Sequence, residues 1–150
     1  MQDKVYAIDA NVILRYVTQE GGDLQQKAER ILDAVAEGRL TVSCDPVVLA
    51  EVVWVLESFY GLSTSQIAVA LEPFLQCDYF IMPEKQRYQR ALQLYATAVP
   101  DYGDACASAM ALEDCDGRLL SFDRKLSRVE GIQRLESEPT INPNPTRNPK

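Results

Sequence analysis

Short apolar runs alternate with longer amphipathic stretches along this chain. Val5 to Ile8 is an apolar run ending at Asp9, and from Asn11 to Val17 the apolar spacing is that of a helix. Strand, carboxylate, helix is therefore the first pattern. Between Asp23 and Glu37, Leu24, Ala28, Ile31, Leu32 and Val35 share one helical face, and Gly38 stops it. Leu40 to Cys44 reads as a second strand. Pro46 suits the first turn of a helix running to Tyr60 and ending at Gly61. Ser63 or Thr64 caps another helix to about Gln76.

Tyr79 to Met82 reads as a brief third strand. A helix follows from Glu84 to Ala98, with an apolar stripe of Tyr88, Ala91, Leu92, Leu94 and Tyr95, and Pro100 ends it. After Asp101-Tyr-Gly-Asp104 comes a small-residue helix, Ala105 to Leu112. Arg118 to Phe122 is a fourth strand that again runs into a carboxylate, Asp123, and Gly131 to Leu135 a fifth. The segment from Ser137 holds four of the eight prolines and almost no apolar side chain, so a disordered tail over 137–150 is expected, with the folded domain at 1–136. Strands alternating with helices predict an α/β fold: a central, mostly parallel sheet flanked by helices, with ligands bound beyond the carboxyl ends of the strands.

Composition narrows the chemistry. Of 150 residues none is histidine, which excludes Ser-His-Asp hydrolysis, His-based acid/base pairs and His-containing zinc sites. Catalysis falls to carboxylates, hydroxyls, Lys or Arg. A net charge of -7 argues against coating nucleic acid by bulk electrostatics, while leaving room for a local basic patch. Cys44, Cys77, Cys106 and Cys115 show no C-x-x-C spacing, and MQDKVYAID lacks the pattern of a secretory leader. A cytoplasmic protein with reduced thiols and no membrane partner is expected, as no apolar run approaches the ~20 residues of a membrane span.

Four acids then stand out. Glu51 interrupts Val47-Val-Leu-Ala-Glu51-Val-Val-Trp-Val-Leu56, which is apolar on nearly every helix face. An ionised carboxylate buried there is protonated, paired or metal-bound; the alternative is a residue that reaches solvent. Asp9 is either a ligand or the N-cap of the following helix, and Asp123 either a ligand or a turn residue. Asp101 and Asp104 stand three apart at a helix start, where Asp101 reads as the cap. Ser121 lies two residues before Asp123 and points to the same side of an extended strand. Carboxylates converging without His or Cys fit a hard cation, Mg²⁺ or Mn²⁺.

The stretches Ile8-Asp9-Ala-Asn11-Val-Ile-Leu-Arg15, Val48-Leu-Ala-Glu51-Val-Val-Trp-Val-Leu56, Asp101-Tyr-Gly-Asp104-Ala and Ser121-Phe-Asp123 occur in one order over residues 8–123. In that order and spacing the chain resembles a PIN-domain ribonuclease, and within that family the small VapC-type toxins of toxin–antitoxin pairs. The resemblance implies the three-layer PIN-like fold, with metal-binding acids at Asp9, Glu51, Asp104 and Asp123 and polar supports at Asn11 and Ser121. It also implies Mg²⁺-dependent hydrolysis of RNA phosphodiesters to 5′-phosphate and 3′-hydroxyl ends, and an antitoxin that wraps the toxin. Arg15 and Arg124 are the preferred backbone-binding cations among Arg15, Lys85, Arg87, Arg90, Arg118, Arg124, Lys125 and Arg128. Exposed parts of helices 63–76 and 84–98, with Tyr88 and Tyr95, are candidate surfaces for the antitoxin or a homodimer. Two other readings stand beside this one: a catalytically silent PIN scaffold that binds protein, and an HAD-like phosphatase, which would want a second Asp where this chain has Asn11.

Overall fold

The computed structural model describes residues 4–140. Its elements follow the polar punctuation of the chain. β1 (Val5–Ala7) leads into α1 (Ala10–Thr18), which buries Ala10, Ile13 and Leu14. α2 (Asp23–Ala36) precedes β2 (Thr41–Ser43). The turn between them is closed by Gly38 at φ +76°, where a Cβ would lie 2.8 Å from the Tyr79 ring. α3 (Pro46–Ser58) starts on proline, with the Asp45 carboxylate accepting from the Val47 amide at 2.8 Å. α4 (Thr64–Gln76) opens on a reciprocal Ser63–Gln66 capping box. β3 (Phe80–Ile81), α5 (Lys85–Thr97) and α6 (Tyr102–Asp114) follow, then β4 (Arg118–Leu120), a 3₁₀ turn (Arg124–Arg128) and β5 (Gln133–Leu135).

Every expected strand is present and each is shorter than its apolar run, because the ladders engage only two or three residues of each. All pairings are parallel, as expected. The ladder is nevertheless divided: β1, β2 and β3 form one sheet with β2 central, and β4 with β5 forms a second. β1 and β4 are edges, and Val5, Tyr6 and Leu120 are exposed on them. Asp9 and Asp123 thus follow the carboxyl ends of strands in two sheets rather than one. The Arg124–Arg128 turn has no counterpart in the periodicity, since five residues with one buried side chain, Leu126, carry no repeat.

Ile13, Leu49, Val52, Leu56, Ile67, Leu71, Leu75 and Phe80 fill the core between the first sheet and the helices. Tyr95 belongs to it too. It is 1% exposed, meets Tyr102 edge to face and donates its hydroxyl to the Glu57 carboxylate, so it is not the surface residue that a partner would require. Tyr88 is half-buried against the same core. Among the cations, Lys85 donates to the Cys77 and Phe80 carbonyls, and buried Arg87 pairs with Glu84, Glu113 and Asp114, joining α5 to α6. Those two cations are committed to the fold. The four cysteines are free thiols, and no described helix is long and apolar enough to cross a membrane. Of the expected tail, residues 137–140 are exposed without regular structure, and 141–150 lie outside the described residues.

Candidate functional site

Three of the acids are built into helix starts. Asp9 is the N-cap of α1: its Oδ1 accepts from the Asn11 amide at 3.0 Å and the Val12 amide at 3.3 Å. Asn11 is exposed in the same first turn. Asp123 caps the 3₁₀ turn, its Oδ1 accepting from the Lys125 amide at 3.0 Å, while Ser121 Oγ accepts from the Asp123 amide at 3.0 Å. Ser121 and Asp123 are joined by this turn beyond the end of β4 at Leu120, not by the extended-strand alternation read from their spacing. Capping and cation binding are compatible here, because each cap engages Oδ1 and a carboxylate carries a second oxygen with its own lone pairs.

Asp101 caps α6 through the Asp104 amide at 2.9 Å, which is the role read for it from the sequence. Asp104 lies inside the first turn of α6, not ahead of the helix. Its carboxyl is held above the ordinary carboxylate value of 3.8 by burial first, then by the charges of Asp101 and Asp123. The charges of Asp101 and Asp123 both act on Asp104, which places the three acids on the side of the fold where α6 begins and β4 ends.

Glu51 is placed differently from its expected burial. α3 is apolar on all sides, yet the stripe of Val47, Glu51 and Trp54 faces outward, with Val47 71% and Trp54 52% exposed. Glu51 reaches solvent, which is the second of the two readings its sequence allows. Among the described residues no three side chains of metal-ligand type converge as a ready cage. The donors are hard oxygens, which fit a Mg²⁺-class cation, but the four-acid set is not preassembled.

Arg15 is half-buried and 4.0 Å from Glu20, whereas Arg124 is 88% exposed with only a 3.9 Å approach to Glu136. Arg124 is therefore available to an anionic chain beside Asp123. Sequence reasoning does not single out Arg134, whose guanidinium sits behind the Asp123 turn. It donates from Nη1 to the Ser121 carbonyl at 2.9 Å and from Nε to Ser127 Oγ at 2.7 Å. Nothing in Gln133-Arg134-Leu135 signals this, since both acceptors come from other parts of the chain.

The crowding of Asp104 has a measurable sign. A carboxyl whose value is raised on folding favours the folded state only while protonated; the penalty begins as pH rises past 3.8 and is complete above the raised value. Asp104→Asn should therefore melt with the parent near pH 3 and, in EDTA at pH 7, about 1–3 °C above it, the charge being partly screened by water. Thermal melts at the two pH values check this. A lower melting point at pH 7 would mean that the helix dipole's attraction for the Asp104 charge outweighs the repulsion.

The arrangement is that of an acidic, oxygen-donor corner at strand and helix ends, with one exposed arginine at its rim. Comparison with curated proteins returns no match. The PIN domain family matches residues 6–132, covering Asp9, Glu51, Asp101, Asp104 and Asp123, and the chain belongs to that family.

Proposed function

We propose that this PIN domain, of a family whose members are typically nucleases and usually bind divalent metals, is a Mg²⁺-dependent endoribonuclease. On this reading Asp9, Glu51, Asp104 and Asp123 hold the cation, Mn²⁺ being a substitute, and Asn11 and Ser121 support them. The observation that carries it is placement: Asp9, Asp104 and Asp123 stand at the starts of α1, α6 and the Arg124–Arg128 turn, and the cap bonds of Asp9 and Asp123 engage only Oδ1 of each. A bound Mg²⁺ would supply water activation and phosphoryl polarisation. The chain's own part is to present the acids from rigid starts of α1 and α6 and from the β4 end. Arg124, and more weakly Arg15, draw the RNA backbone toward them.

The reading extends to the toxin of a type II toxin–antitoxin pair acting in the cytoplasm. Exposed portions of α4 and α5, including Val69, are the surfaces proposed for an antitoxin or a second copy. One observation favours the silent-scaffold alternative, namely that the acids form no ready cage among the described residues.

Incubation of the purified chain with single-stranded RNA and Mg²⁺ separates the readings. Cleavage to 5′-phosphate ends that stops in EDTA is expected; no cleavage under any divalent ion would leave the scaffold, and release of inorganic phosphate from small esters would indicate the phosphatase. Growth arrest on expression, relieved by Asp104→Asn, tests the toxin role separately.

A further inference from the structure

The side chain of Arg134 is only 12% exposed, an expensive place for a charge unless its donors are used. They are used on both sides of one turn. Nη1 donates to the carbonyl of Ser121, two residues before Asp123, and Nε donates to the hydroxyl of Ser127, four residues after it. Nη1 also meets Glu136 Oε1 at 2.7 Å, which offsets the arginine's charge locally. Beyond these contacts the turn is closed by its own short bonds, Asp123 amide to Ser121 Oγ and Lys125 amide to Asp123 Oδ1.

We propose that Arg134 is a positioning residue for the nuclease site, acting through Asp123 by splinting the turn that presents it; the inference rests on the nuclease reading above. Its contribution is shape rather than charge, because Glu136 neutralises it and the Asp123 oxygen is engaged by the Lys125 amide. A planar fork that donates in two directions is required, since one ammonium at the end of a flexible stem cannot hold the Ser121 carbonyl and the Ser127 hydroxyl in fixed relation. The consequence falls on where Asp123 stands relative to Asp104, whose carboxyl already feels its charge.

The test uses the full chain with Mg²⁺ and a single-stranded RNA, in Arg134→Lys, Ser127→Ala, Asp123→Asn and the Arg134→Lys/Asp123→Asn double variant. Arg134→Lys should lower kcat at least tenfold with KM within twofold, and speed hydrogen exchange at the Lys125 amide at least tenfold. Ser127→Ala, which removes one hydroxyl without touching the strand, should move both in the same direction by less. The double variant should be no slower than Asp123→Asn alone. Arg134→Lys that keeps both kcat and Lys125 protection while Asp123→Asn is inactive overturns the proposal. So does a KM rise at unchanged kcat, the sign of direct RNA contact. An Asp123→Asn protein as active as the parent instead overturns the nuclease assignment of that residue, and Lys125 exchange still reports whether Arg134 holds the turn.

Discussion

Asp104→Asn and Asp123→Asn should each reduce RNA cleavage by about 10²–10³-fold, a loss of roughly 2.7–4 kcal/mol in transition-state stabilisation. Asparagine keeps the size of the side chain and an acceptor oxygen, so the amide side chain placed at position 123 can still receive the Lys125 N–H that Asp123 now holds at 3.0 Å. The backbone amide of residue 104 likewise keeps its bond to Asp101. What each substitution removes is the negative charge, the property a hard cation needs. Asp9→Asn should behave in the same way, its cap on α1 preserved by the amide oxygen. Circular dichroism and melting curves establish that the variants are folded; initial rates at saturating Mg²⁺ then measure chemistry. Full activity of the Asp104 variant would remove the centre of the proposed site, and a deficit cured by raising Mg²⁺ would show that affinity for the ion, not catalysis, had been lost.

The local parts of this molecule were legible because local chemistry determines them. Asp9, Ser63 and Asp101 sit at helix starts where their short side chains can take up amides that the helix leaves without partners. Pro46 has no N–H to lose at such a start, and the bond from the Asp123 amide to Ser121 Oγ is a local serine turn of the kind short hydroxyl side chains form. The family pattern added the order in which the acids occur. Three other features were not legible, for distinct reasons. An all-round apolar helix such as α3 does not say which stripe faces out, so its sequence points to a buried Glu51 when that face is the exposed one. Strand pairing joins residues far apart in the chain, and runs of three paired residues leave the division between β1 and β4 without a trace in the periodicity. Arg134 bonds to Ser121 and Ser127 only after β5 has docked beside β4; in sequence it is one more surface arginine.

Gly117→Ala should cost about 4 kcal/mol or more, lowering the melting temperature by roughly 8–16 °C for a domain of this size. Two effects add. Gly117 has φ +79°, a backbone conformation that costs an L-residue about 1–2 kcal/mol. The added methyl carbon would also stand 1.9 Å from the carbonyl oxygen of Gly131, far inside van der Waals contact, and backbone atoms cannot rotate away as a flexible side chain can. Relief requires parting the segments that Gly117 ties together: its amide donates to Ala111 at the end of α6, and its carbonyl accepts from Gln133 at the start of β5. Gly61→Ala supplies the comparison. That glycine has φ +65° but nothing within 4 Å of its absent Cβ, so only the backbone penalty applies and a fall of roughly 2–8 °C is expected. Because β4 leads to Ser121 and Asp123, the Gly117 variant should also lose RNA cleavage below its melting point, whereas the Gly61 variant should keep it. Equal melting temperatures for the two would mean that the close approach of Gly117 to Gly131 is absent in solution, and with it the register that sets Arg134 behind the Asp123 turn.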